Sequence, residues 1–127
     1  MAAIPNRPQL CSRTAVPPSG PSWVHEVKHD GHRILAFLER GSVRLRTRLG
    51  NDATRRFAPI AAALSRLKVR SAVLDGEVTV PDERGVTHLS LLDDTLKSDP
   101  GRLAFYAFDV MFLEGLDVRR RPLRDRT

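Results

Sequence analysis

Trp23-Val-His-Glu-Val-Lys28, then His29-Asp-Gly-His32, then Arg33-Ile-Leu-Ala-Phe-Leu38: two strand-like runs joined by a polar turn, and their reading decides the fold. A period-two strand places Val24, Glu26 and Lys28 on one face and Trp23, His25 and Val27 on the other. Working outward, Glu39-Arg-Gly-Ser42 reads as a second turn, and Val43-Arg-Leu-Arg-Thr-Arg48 alternates apolar and basic residues so that Arg44, Arg46 and Arg48 share a face. Gly50-Asn-Asp52 breaks this pattern. Thr54 or Asp52 then caps a helix over Thr54–Leu67, in which Phe57, Ile60, Ala61, Leu64 and Leu67 follow three-four spacing and Pro59 limits how early regular hydrogen bonding starts. Ala72–Val80 reads as the next strand, with Asp75 and Glu77 on one face. Ser90–Lys97 reads as a short helix stopped by Asp99-Pro-Gly101. Leu103–Leu113 reads as a central strand buried on both faces, with Asp109 the anomaly in its middle. On the other side of the opening stretch, residues 1–22 carry five prolines and read as an extended arm, so the ordered domain is expected to begin near Trp23.

The 127 residues suit one domain. Cys11 is the single cysteine, which excludes an internal disulfide framework and any cysteine-based zinc cluster and favours a reducing cytoplasm. The longest apolar run, Phe57 to Leu64, is far short of the ~20 residues that span a bilayer, and no secretory signal is apparent. Lys and Arg total 21 against 15 Asp and Glu, a net charge of +6 that favours a polyanionic partner.

Chemistry concentrates in Lys28-His-Asp-Gly-His-Arg33. Read locally, it is either a hairpin turn with a solvated Lys and Arg, or a nucleophilic lysine beside a cation that helps keep its amine neutral. Longer segments carry a resemblance. Trp23-x-His25-Glu26-x-Lys28-x-Asp30-Gly31-x-Arg33, Thr47-Arg48-x-Gly50 with the Arg56-Phe57 helix, Leu74-Asp75-Gly76-Glu77-Val78 and Phe105-Tyr-Ala-Phe108-Asp109 occur in order. In that order they resemble the ATP-dependent DNA ligases, especially the ligase domains of bacterial end-joining systems.

The resemblance implies an α+β, ATP-grasp-like nucleotidyltransferase core, present in part, whose mostly antiparallel sheet carries the Thr54–Leu67 helix. Residues 23–127 would be the N-terminal part of the adenylation domain. Lys28 would form a lysyl-AMP phosphoramidate and Glu26 would help recognise adenine. Arg33 and Arg48 would meet nucleotide or DNA phosphate or sugar, Glu77 would accept from the ribose, and Phe108 would stack on the base. Asp30, Gly31, Asp75 and Asp109 would support the pocket, with ATP and Mg²⁺ as cofactors and nicked DNA as partner. Plain alternatives stand beside these roles: Phe108 as a core residue, Asp75 and Glu77 as surface carboxylates, and the arginine row as a solvated strand face. His25, His29 and His32 lack the geometry of a metal site, so no protein metal ligand is assigned.

No Glu-Gly-x-x-x-Lys segment follows Leu113, and the last lysine is Lys97. The family's later metal-binding and triphosphate-contacting segments and its oligonucleotide-binding domain are not seen in this stretch, so one reading is the N-terminal part of such a ligase, either a truncated product or one half of a split enzyme met by a complementing ligase chain. The other reading is a non-catalytic remnant or basic nucleic-acid-binding module. An RNA ligase or capping-type enzyme shares the lysine logic but fits the flanking segments less well. Exposed strand edges are expected to promote self-association.

Overall fold

A computed structural model describes residues 3–127. Its centre is a five-stranded sheet of β1 (His32–Glu39), β2 (Ser42–Thr47), β3 (Ser71–Thr79), β4 (Ala104–Leu113) and β5 (Leu116–Asp117), ordered β2-β1-β3-β4-β5 with every pair antiparallel. Two short helices accompany it, α1 (Ala58–Leu64) and α2 (Leu92–Ser98).

Turn chemistry sets the hairpins. Arg40 (φ 49°) and Gly41 (φ 82°) form the two-residue loop between Glu39 and Ser42, the positive-φ pair that matches the twist of the flanking strands. Glu114 and Gly115 repeat the device between β4 and β5.

The strands' period of two separates the faces. Ile34, Ala36, Leu38, Leu45, Ala72 and Val78 point to the helical side and pack with Phe57, Ile60, Leu64 and Leu92 in the main core. Each large side chain fully buried there stabilises the fold by about 1.5–3 kcal/mol. Leu35, Phe37, Val73, Met111 and Phe112 form a smaller apolar cluster on the opposite face. That face becomes polar toward the start of β1.

Three expectations are corrected. Trp23–Lys28 joins no strand ladder: β1 already has β2 and β3 on its two edges, so the segment runs outside the sheet with Trp23, Val24 and Val27 exposed. The helix expected over Thr54–Leu67 is regular only over Ala58–Leu64. Pro59 sits in its first turn, the Thr54 hydroxyl accepts from the Leu45 amide instead of capping, and Asp52 receives the Thr54 amide in a local turn. Finally, β4 is not buried on both faces. Only Met111 is buried along it, because β5 pairs with Phe112 and Leu113 alone.

Candidate functional site

Lys28 lies in the exposed stretch before β1, and the three residues after it are anchored. The His29 ring stacks on Tyr106 with centroids 4.1 Å apart and planes 11° from parallel. Asp30 is held three ways: its amide donates to Thr87 Oγ1 (2.7 Å), its carbonyl accepts from Thr79 Oγ1, and its carboxylate accepts from the Leu89 amide (3.1 Å). Gly31 runs so close to β3 that a Cβ would stand 2.2 Å from the Val78 carbonyl oxygen. Its requirement for glycine therefore comes from close backbone approach, not from the positive φ of a tight Asp-Gly turn. The exposed Lys28 side chain thus directly precedes an anchored stretch of backbone.

On the polar end of the sheet, Arg33 grips Asp75 with two hydrogen bonds, Nε to Oδ1 at 3.0 Å and Nη2 to Oδ2 at 2.7 Å. Asp75 is 4% exposed, which corrects the surface-carboxylate alternative; a carboxylate so buried requires such a partner. The Arg33 guanidinium also lies 5.4 Å from the centroid of the Phe108 ring. Glu77, facing Arg33 across the β1–β3 ladder, has its carboxyl raised above the ordinary value by burial, against the opposing pull of Lys28 and Arg33. Lys28 and Glu77 thus share one electrostatic environment.

A cavity of about 970 Å³ brings together Lys28, Glu26, Arg33, Arg48, Glu77 and Phe108, drawn from four separate stretches of chain. His32 and Arg56 also line it; burial and then the Arg56 charge lower the imidazole's pKa. Asp75 and Asp109 line a neighbouring cavity of about 500 Å³ instead, which shares Glu26, Arg33 and Phe108 with the first. Asp109 there meets Arg126, whose Nη1 donates to both carboxylate oxygens at 2.6 and 2.7 Å.

Sequence reasoning did not single out Arg126, the His29–Tyr106 stack, or the arm residues Leu10 and Cys11, which line both cavities. The buried-carboxylate argument at Asp109 demanded a cation but could not choose among the five arginines from Arg119 onward. No local periodicity linked the arm to the sheet. Among the described residues, no group of three or more His, Cys, Asp or Glu side chains could hold a metal ion.

The family model described as "ATP dependent DNA ligase domain" matches residues 8–127, and the chain belongs to this family. The multifunctional non-homologous end joining protein LigD of Pseudomonas aeruginosa is 38% identical over 120 residues, covering 94% of this chain and 14% of that protein. The LigD of Mycobacterium tuberculosis is 36% identical, covering 82% and 13%. Among solved structures, a mycobacterial DNA ligase D complexed with ATP and MES superposes with a TM-score of 0.72 at 35% identity, covering 80% of this chain and 33% of that one. The chain thus spans about one-seventh of these LigD proteins and a third of the solved ligase chain. The α+β sheet is that of the ligase nucleotidyltransferase fold.

Proposed function

We propose that this chain carries the nucleotide-accepting part of an ATP-dependent DNA ligase. The observation that carries the reading is the single cavity in which Lys28, Glu26, Arg33, Arg48, Glu77 and Phe108 meet. The Lys28 amine, after losing a proton, attacks the α-phosphorus of ATP. A P–N bond forms, the P–O bond to pyrophosphate breaks, and AMP remains on the lysine. Transfer of AMP to a DNA 5′-phosphate regenerates the amine, and sealing of the nick releases AMP.

Phe108 supplies an aromatic face for the base, and stacking of this kind contributes ~1–3 kcal/mol. Glu26 and Glu77 supply acceptors for base and ribose. Arg48 is the arginine of the cavity that meets phosphate. Arg33 is already held by Asp75, so its part is to fix that carboxylate, shield Phe108 and keep positive charge near Lys28. Gly31, Asp30, Asp75 and Asp109 support the pocket. Mg²⁺ would be held mainly on the nucleotide phosphates, the binding mode that needs few protein carboxylates and fits a chain without a cluster of three candidate ligands among its described residues. Bound there it would neutralise phosphate charge. The solved relative with ATP supports the choice of nucleotide, and the LigD relatives support DNA end joining as the setting; the cytoplasm, where ATP and DNA meet, is the place assigned. The remaining triphosphate contacts fall to ligase sequence outside this stretch, on the same polypeptide or on a complementing one.

The test incubates the purified chain with α-labelled ATP and Mg²⁺, alone and with the remaining segment of a LigD ligase domain. Covalent label on this chain, lost in Lys28→Ala, is expected in at least the second mixture. No label in either, with duplex DNA still bound, assigns the chain to the non-catalytic DNA-binding class.

A further inference from the structure

Face assignment gives the arginine row of β2 a direction. Across the β1–β2 ladder Arg44 stands opposite Phe37 and Arg46 opposite Leu35, and directly opposed residues project to the same side of a sheet. Leu35 and Phe37 belong to the apolar cluster on the face away from the helices. Arg44 and Arg46 therefore lie on the face that carries Arg33 and Asp75. Arg48, in the turn that follows β2, lines the cavity of Lys28. The row begins at the site and leads away from it along β2, an outer strand of the sheet whose free side is met around Leu45–Thr47 by the Asn51–Thr54 segment.

These arginines also lack the partners that occupy others. Among the described residues, ion pairs engage Arg33, Arg56, Arg70, Arg119, Arg124 and Arg126, and none involves Arg44, Arg46 or Arg48. Arg46 donates one hydrogen bond to the Gly50 carbonyl, which leaves four of the five guanidinium donors for a ligand. Arg44 and Arg48 are exposed. Alternate residues of a strand are about 6.7 Å apart. That is close to twice the ~3.4 Å axial rise between phosphates on one strand of duplex DNA.

We infer that Arg44 and Arg46 form, with Arg48, a phosphate-tracking row that seats the backbone of duplex DNA along β2 and leads it to the Lys28 cavity. The inference rests on DNA as the partner in the proposed function and not on the lysine chemistry. Phosphate contacts position a duplex without reading its sequence, so the row sets register and salt dependence.

The test measures duplex DNA affinity against salt concentration for the full chain and for Arg44→Ala/Arg46→Ala. Each lost phosphate contact lowers the slope of log affinity against log salt by about 0.9, so a drop of about 2 is expected, with affinity several-fold weaker at low salt. Arg44→Lys/Arg46→Lys should retain the slope. Arg66→Ala/Lys68→Ala, which removes the same charge beside α1, should leave it unchanged. An unchanged slope in the first variant, an equal drop in the α1 control, or equally tight binding of polyglutamate overturns the row. Labelling of Lys28 by ATP, expected to persist in Arg44→Ala/Arg46→Ala, separates the two readings. A slope effect in a chain that never labels keeps the row and removes the catalytic proposal; labelling without a slope effect does the reverse.

Discussion

Asp109 and Arg126 show how one side chain decides another's state. Their side chains are only 21% and 14% exposed, and both carboxylate oxygens rely on one guanidinium nitrogen. Burial raises the Asp109 carboxyl above its ordinary value, and Arg126 pulls it back. For a carboxylate raised by burial the cost is absent while the group is protonated and appears as pH climbs through the raised value. Arg126→Ala removes the opposing pull, so it is expected to destabilise by about 2 kcal/mol at pH 7 and to regain part of that near pH 4. Thermal melts at the two pH values check this; an equal deficit at both contradicts it. Gly31→Ala is the sharper backbone case. A Cβ 2.2 Å from the Val78 carbonyl must move β1 or β3, with a loss on the order of 2–3 kcal/mol in denaturant titrations and slower labelling of Lys28. The need for glycine after Asp30 was visible in the sequence, but its reason was not, since the touching atom is 47 residues away.

Among the elements, α1 is short but central. Phe57, at its N-terminal boundary, is fully buried, lies 5.1 Å beneath the Arg56 guanidinium, and has the His32 ring 6.1 Å away. Phe57→Ala is expected to cost ~3–5 kcal/mol by the cavity it leaves, read as a lowered melting temperature. A shift of only a degree or two would contradict that packing. The strands β1, β2 and β3 were legible because period-two patterns survive wherever one face is buried, β4 from its apolar run, and the short helix before Asp99 from its leucines and its Asp-Pro-Gly stop. Trp23–Lys28 differs from its strand-like pattern for a tertiary reason: its alternation is real, but both edges of β1, the strand it leads into, are taken by β2 and β3. The helix boundary failed at Thr54 because its hydroxyl serves the Leu45 amide of a neighbouring strand. Glu26 and Lys28 still reach one cavity, although from an unpaired segment.

At the scale of the whole molecule, the sheet has one face packed by helices and the other carrying the cavities, flanked by basic residues on β2 and after β5. Its net charge of +6 is compatible with a DNA partner, while the family match gives that charge a chemical setting. The outer edge of β4 has no ladder partner from Ala104 to Val110 among the described residues. Such an edge templates pairing with a second chain. Concentration-dependent self-association is therefore expected in sizing chromatography, reduced by Ala107→Lys at the exposed middle of the edge; a monomer at every concentration contradicts it. Locating the attached nucleotide tests the role of the Lys28 amine most directly. After incubation with ATP, Mg²⁺ and the complementing ligase segment, tandem mass spectrometry of the digested chain is expected to place AMP on Lys28 and on no other residue. An adduct elsewhere, or none while the complementing segment restores nick sealing, would contradict the account.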